Sequence, residues 1–167
     1  MPGKTKAPKV LDNITIENAK LMYRNFSGKE GQMNPAGRRN FCVVIPPEIA
    51  EKLVVDGWNI KYREPRDPSD DRLPYLQVSV SFAHFAPNII LISSKNKTRV
   101  DEKNLNILDF AEISQADIII RPYNWEVQNK SGVKAYLKTM YITLVEDEFA
   151  DKYRDIPDAA ADFDDVA

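Results

Sequence analysis

The chain has 167 residues, 43% of them hydrophobic, with 23 basic and 25 acidic side chains, one cysteine and one histidine. That length suits one core-forming domain with a tail better than two domains. Lone Cys42 and His84 exclude an intrachain disulfide and a zinc knuckle and argue against metal or triad chemistry, and no run reaches the roughly 18 apolar residues of a membrane helix.

The net charge of −2 is unevenly spread: nine of the acids lie in residues 146–167 with only Lys152 and Arg154 against them, leaving 21 basic and 16 acidic groups before residue 146. A body at +5 and a tail at −7 invite a polyanionic partner for the body.

Residues 1–12 lack apolar periodicity and a signal core, which predicts a flexible leader on a soluble, intracellular protein. Ile14, Ile16, Ala19, Leu21 and Tyr23 form the first strand signal, and their shift of parity near Glu17 and Asn18 predicts a bulge or a break. Tyr23 and Phe26 are expected in the core. A loop from Ser27 to Asn40 carries Lys29, Arg38 and Arg39 and leads into the apolar run Phe41 to Ile45, which holds Cys42 as a core residue. Pro46 and Pro47 open a short helix with Ile49, Leu53 and Val54 at helical spacing, and Gly57 closes it.

Trp58, Ile60 and Tyr62 alternate with Asn59, Lys61 and Arg63, a strand with a wet, basic face. After a charged loop at 64–74, Leu76, Val78, Val80 and Phe82 alternate with polar residues. His84 is expected to pack at a strand end. Asn88 to Ile92 follows as a short apolar strand, then a basic loop at 93–104 with Lys95, Lys97 and Arg99, then a helical turn at Leu105 to Phe110. Ile118 to Val127 and Val133 to Val145 flank a turn at 128–132 and read as a long hairpin. This pattern predicts a mainly β fold, an OB-like antiparallel β-barrel with one short helix and a long C-terminal hairpin. A plain β-sandwich is the alternative. The domain is expected to span 13–146, with an acidic disordered tail at 147–167.

The hairpin is the candidate site. Arg121, Tyr123, Trp125 and Val127 share one face of its first strand, and Lys134, Tyr136, Lys138 and Met140 share one face of the second. A turn centred on Lys130 and Ser131 sets Trp125 opposite Tyr136 and Tyr123 opposite Lys138. Tyr and Trp are also ordinary cross-strand core partners, but burying Lys134 and Lys138 would be costly, so this face is expected to be exposed. Interleaved aromatic and basic groups are what sequence-tolerant binding of a single nucleic-acid strand requires. Arg38, Arg39, Lys61 and Arg63 extend the path.

The tail is too acidic and Ala-rich to form a core. It can compete with phosphate for the basic body, or present Asp162, Phe163, Asp164, Asp165 and Val166 to a partner's basic, apolar pocket. A plain solubility tail is the simpler reading.

Four stretches, Arg24-Asn25-Phe26-Ser27-Gly28-Lys29, Asn34-Pro35-Ala36-Gly37-Arg38-Arg39-Asn40-Phe41, Ile120-Arg121-Pro122-Tyr123-Asn124-Trp125 and Ser131-Gly132-Val133-Lys134-Ala135-Tyr136-Leu137-Lys138, resemble phage-encoded single-stranded DNA-binding proteins of the OB-fold type. The resemblance covers nearly the whole chain. It implies binding of single-stranded DNA in phage replication and recombination, partner proteins recruited by the tail, and a place in the cytoplasm of the bacterial host. Composition and the absence of a phosphate loop or His cluster lead to the expectation of no cofactor, no metal, no membrane and no catalysis; a homodimer is left open. The chain ends on Val166-Ala167, where tails of related proteins finish on an aromatic residue.

Two other classes compete. A protein-binding inhibitor could use the acidic tail as a nucleic-acid mimic. A metal-dependent nuclease would need scattered acids such as Asp109, Glu112 and Asp117 to converge, while Asp67, Asp70 and Asp71 sit in a solvated loop.

Overall fold

The computed structural model describes residues 10–31, 34–83, 86–94 and 96–145. The expectations for 1–9, for His84 and Lys95, and for the acidic tail with Asp162 to Val166 lie outside the described residues.

The chain is mainly β, with nine strands, one α-helix and one 3₁₀ turn among the described residues. In order these are β1 (Ile14–Ile16), β2 (Leu21–Asn25), β3 (Arg39–Val44), α1 (Pro47–Asp56), β4 (Ile60–Arg63), β5 (Leu73–Val80), β6 (Asn88–Ser93), β7 (Asn96–Val100), the 3₁₀ turn Leu105–Asp109, β8 (Ile113–Val127) and β9 (Lys130–Leu144). The basic loop expected at 93–104 is therefore largely β7. Its five residues read as loop because four of them are exposed and polar, and they are held as a strand by antiparallel pairing with β6.

The strands form one sheet ordered β1-β8-β9-β5-β3-β2, with β4 beside β5 and β6 between β9 and β7. Most pairs are antiparallel; β9 adds parallel contacts to β5 and β6. The two ends of the order, β1 and β2, are joined by the covalent chain. Between them Asn18 adopts a φ of 52°. The Ala19 N–H donates to the Ala116 carbonyl on β8 at 2.7 Å, while the Lys20 carbonyl accepts from Val44 at the end of β3 at 3.0 Å. The parity shift near Glu17 and Asn18 is thus the point where one bent segment passes from β8 to β3, drawing the sheet around a single core.

That core takes one side of every main strand: Ile14 and Ile16, Phe41 and Val43, Leu76, Val78 and Val80, Ile118 and Ile120, Leu137, Met140 and Ile142. Phe26 stacks on Phe41 with ring centroids 5.2 Å apart, and neither is exposed. The helix starts with Pro47 in its first turn and ends where Gly57, at φ 101°, lets its own N–H and that of Trp58 bond back to Val54 and Leu53. Only glycine takes that backbone without strain. Ala50 and Leu53 face the core; Val54, expected to do so, is 47% exposed because it falls on the helix's outer side. Trp58 belongs to no strand, is buried, and bridges Val133 of β9.

Candidate nucleic-acid interface

Strand alternation gives β3, β5, β8 and β9 a second, outward face, and this face carries the hairpin residues. The β8–β9 ladder pairs Val127 with Lys130, so the connection is the two-residue turn Gln128-Asn129 rather than the five residues expected. Gln128 has a φ of 56°, as the first position of a turn matching hairpin twist requires. The register consequently differs from a turn centred on Lys130 and Ser131. Arg121 opposes Tyr136, Tyr123 opposes Lys134, and Trp125 opposes Gly132. The displacement is even, so side chains keep their faces. Met140 is the exception. Ile120 pairs with Leu137 but Ile119 pairs with Thr139, leaving Lys138 as an extra residue, and beyond this bulge Met140 turns into the core at 0% exposure.

The aromatic side chains on this face are in contact with their neighbours and with water. Tyr123, 57% exposed, meets Tyr136 edge to face with centroids 6.0 Å apart, and the Lys134 ammonium lies 5.1 Å from the Tyr136 ring centre. Trp125, 37% exposed, lies across the backbone of Gly132. A Cβ there would stand 2.9 Å from Cζ2 of the indole and 3.0 Å from Cε2 and Nε1. Gly132→Ala is therefore expected to push the indole off its bed, shifting the emission of Trp125 to longer wavelength and weakening binding of a stacked base by several-fold, within the roughly 1–3 kcal/mol of one base–aromatic stack. Buried Trp58 serves as the unchanged internal reference.

Beside the hairpin runs an open groove of about 830 Å³, where β5 exchanges its neighbour β4 for β9. Its walls are the 34–40 segment, Trp58 and Asn59 after the helix, Gln77 and Ser79 of β5 with Ser81 just beyond it, and Trp125, Lys134 and Tyr136. Arg38, Arg39 and Lys134 are its charged residues, and none of the groove residues is acidic. Asn34 holds the 34–40 segment through side-chain bonds to the carbonyls of Lys29 and Arg38 and from the amide of Asn40.

Not every residue expected at the site stands in this groove. Arg38 is exposed there, whereas Arg39 is committed to an ion pair with Glu102 at 3.1 Å and lies 5.8 Å from the Phe82 ring centre. Arg121 and Lys138 lie outward on the hairpin, away from the groove lining. Lys61 and Arg63 are exposed on β4, on the outward side, also outside the groove. Tyr23, expected in the core, is 60% exposed on that same side, whereas Cys42, which alternates onto that side too, is buried as expected, its thiol pushed up by burial and partly restored by nearby Lys61. Sequence reasoning passed over Asn40, Gln77 and Ser79, whose only signal was their place in the polar half of an alternating strand.

Two of the acids considered for metal chemistry, Asp109 and Asp117, do structural work. The Asp109 carboxylate accepts the backbone N–H groups of Phe26 and Ser27, and Asp117 accepts those of Asn18 and the Gln115 amide. No group of three or more His, Cys, Asp or Glu stands together among the described residues.

The family model of the phage ssDNA-binding domain matches residues 4–167. The chain belongs to that family. No curated protein sequence matches it. Among solved structures, this phage domain resembles the single-stranded DNA-binding protein of bacteriophage Enc34 in complex with ssDNA, with a TM-score of 0.53 and 12% identity over 82% of this chain and 89% of the other. The same Enc34 protein on its own gives a TM-score of 0.52 and 13% identity over 90% and 89%. At such identity the likeness establishes the shared fold, which extends over most of both chains.

Proposed function

We propose that the outward face of β8 and β9, with the groove beside it, binds single-stranded DNA without sequence preference. The supporting observation is an outward set of three aromatic rings, Tyr123 and Trp125 exposed and Tyr136 half-buried, interleaved with lysines and opening into a groove with no acidic residue. Rings of this kind stack any base, and cations beside them follow the phosphates. Tyr123, Trp125 and Tyr136 supply the stacking; Arg121, Lys134, Lys138 and Arg38 hold the backbone, and Arg39 shapes the wall. The binding domain spans 13–146 and performs no catalysis. The acidic segment 147–167 competes with DNA at low salt and recruits replication or recombination proteins through Asp162, Phe163, Asp164, Asp165 and Val166. The site of action is the host cytoplasm; no helix among the described residues is long and apolar enough to cross a membrane.

Anisotropy of a labelled oligothymidine, measured at several salt concentrations with the full chain and with a chain lacking 146–167, tests this reading. Four phosphate contacts, from Arg121, Lys134, Lys138 and Arg38, give a log–log salt slope of about −3 for a single strand, or roughly a 50-fold loss for a fourfold rise in salt. The shortened chain is expected to bind as tightly as the full chain or tighter, because the competing charge has gone. Absence of binding by both forms would sink the proposal and favour a protein target for the tail.

A further inference from the structure

The outward face carries a second aromatic pair that the hairpin site does not use. Tyr23 of β2 and Tyr75 of β5 meet edge to face, ring centroids 6.3 Å apart at 66°. Tyr23 sits where the β2–β3 register slips between Met22 and Asn25, and its φ is 49°. A bulky side chain rarely takes a left-handed backbone, and such strain persists where the surrounding structure imposes it, often at ligand sites. Here the strain gains no burial for the ring, which stays 60% exposed.

The neighbours of the pair are cationic. Lys61 on β4 and Val44 on β3 both oppose Tyr75, and Arg63 follows two residues on, on the same side as Lys61. Both cations are exposed. The pair connects to the hairpin site through β5: Ser79 opposes Tyr136 of β9, and Tyr75 lies four residues from Ser79 on the same face, about 13 Å away at roughly 3.3 Å per residue. Between them stand Gln77 and Ser79, with Asn40 and Cys42 opposite on β3, all uncharged.

We infer that Tyr23 and Tyr75, flanked by Lys61 and Arg63, are a second base-stacking station for the same DNA strand as it leaves the groove toward β4 and β2. This rests on the proposed DNA binding at the hairpin and extends it: a short strand fills the first station only, and a longer one engages both. It also gives Lys61 and Arg63 a phosphate-binding role that their distance from the groove would otherwise deny them.

The test compares oligothymidines of about 4 and about 16 nucleotides, the limits for one OB fold, on the full chain and on Tyr23→Gly, Tyr23→Phe and Tyr75→Ala. Tyr23→Gly removes the ring and relieves the positive φ, so its thermal midpoint should equal or exceed that of the parent. Its affinity for the longer strand should fall about tenfold, one base stack, while affinity for the shorter strand stays within about twofold. Tyr75→Ala should repeat the length-dependent loss, and Tyr23→Phe, which keeps the ring, should bind both lengths like the parent. Unchanged affinity for the longer strand in Tyr23→Gly and Tyr75→Ala would overturn the second station while leaving the hairpin site standing. So would equal losses for both lengths accompanied by a lower midpoint, the mark of a structural role. A parent chain that binds neither strand would remove the hairpin reading and this one together.

Discussion

Replacing Trp125 and Tyr136 together by alanine is expected to lower affinity for oligothymidine by at least about 30-fold, while circular dichroism shows the domain still folded. The size follows from two base–aromatic stacks at roughly 1–3 kcal/mol each. It can exceed that sum, because Tyr136 also holds Tyr123 edge to face and lies beside the Lys134 ammonium, so its loss loosens both neighbours. Folding is spared because both side chains point away from the core, which β9 fills instead with Val133, Ala135 and Leu137. Anisotropy titration beside a thermal melt checks both halves. An affinity within about threefold of the parent, well below one stack, would show that the hairpin face is not where bases lie.

Phe41→Ala should do the reverse. Phe41 is fully buried, stacked on Phe26, and its strand is paired on both sides, by β2 and by β5, so the surroundings have little freedom to close over the lost ring. Truncating a buried phenylalanine costs about 3–5 kcal/mol, a large share of the roughly 5–15 kcal/mol that holds a typical domain together. A fall in melting temperature of about 10–15 °C is expected for a chain of this size. Below the new midpoint the folded fraction should bind DNA with nearly parental affinity, since Phe41 faces the core while its neighbours Asn40 and Cys42 face the other way. A calorimetric melt and a titration at low temperature separate stability from affinity on a single strand of the sheet.

Much of the fold was legible from local pattern. The helix at Pro47–Asp56 was readable because proline and glycine mark its ends by backbone geometry that needs no tertiary partner. The β5 strand was readable from its alternation, and the break after Ile16 from a shift of parity. The strand character of β7 was not, since its exposed Asn96, Lys97, Thr98 and Arg99 carry no apolar signal and the strand exists through its pairing with β6. The hairpin's turn was misplaced because residues 128–132 are apolar nowhere and hold three turn formers, Asn129, Ser131 and Gly132, and which two of the five turn is settled by the ladder on either side.

The candidate site divides along the same line. Local pattern sufficed to show that Arg121, Tyr123 and Trp125 share a side of one strand, that Lys134, Tyr136 and Lys138 share a side of the next, and that two lysines keep that side in water. These are consequences of a two-residue repeat and of the cost of burying charge, both local. Long-range pairing was needed to settle which residue faces which, that the bulge at Lys138 sends Met140 into the core, that Gly132 makes room for the indole of Trp125, and that β5 and the 34–40 segment complete a groove beside the hairpin. It likewise decided that Tyr23 comes out to meet Tyr75. Pairing register and bulges depend on contacts between residues far apart in the chain, and alternation along one strand carries no information about its neighbours.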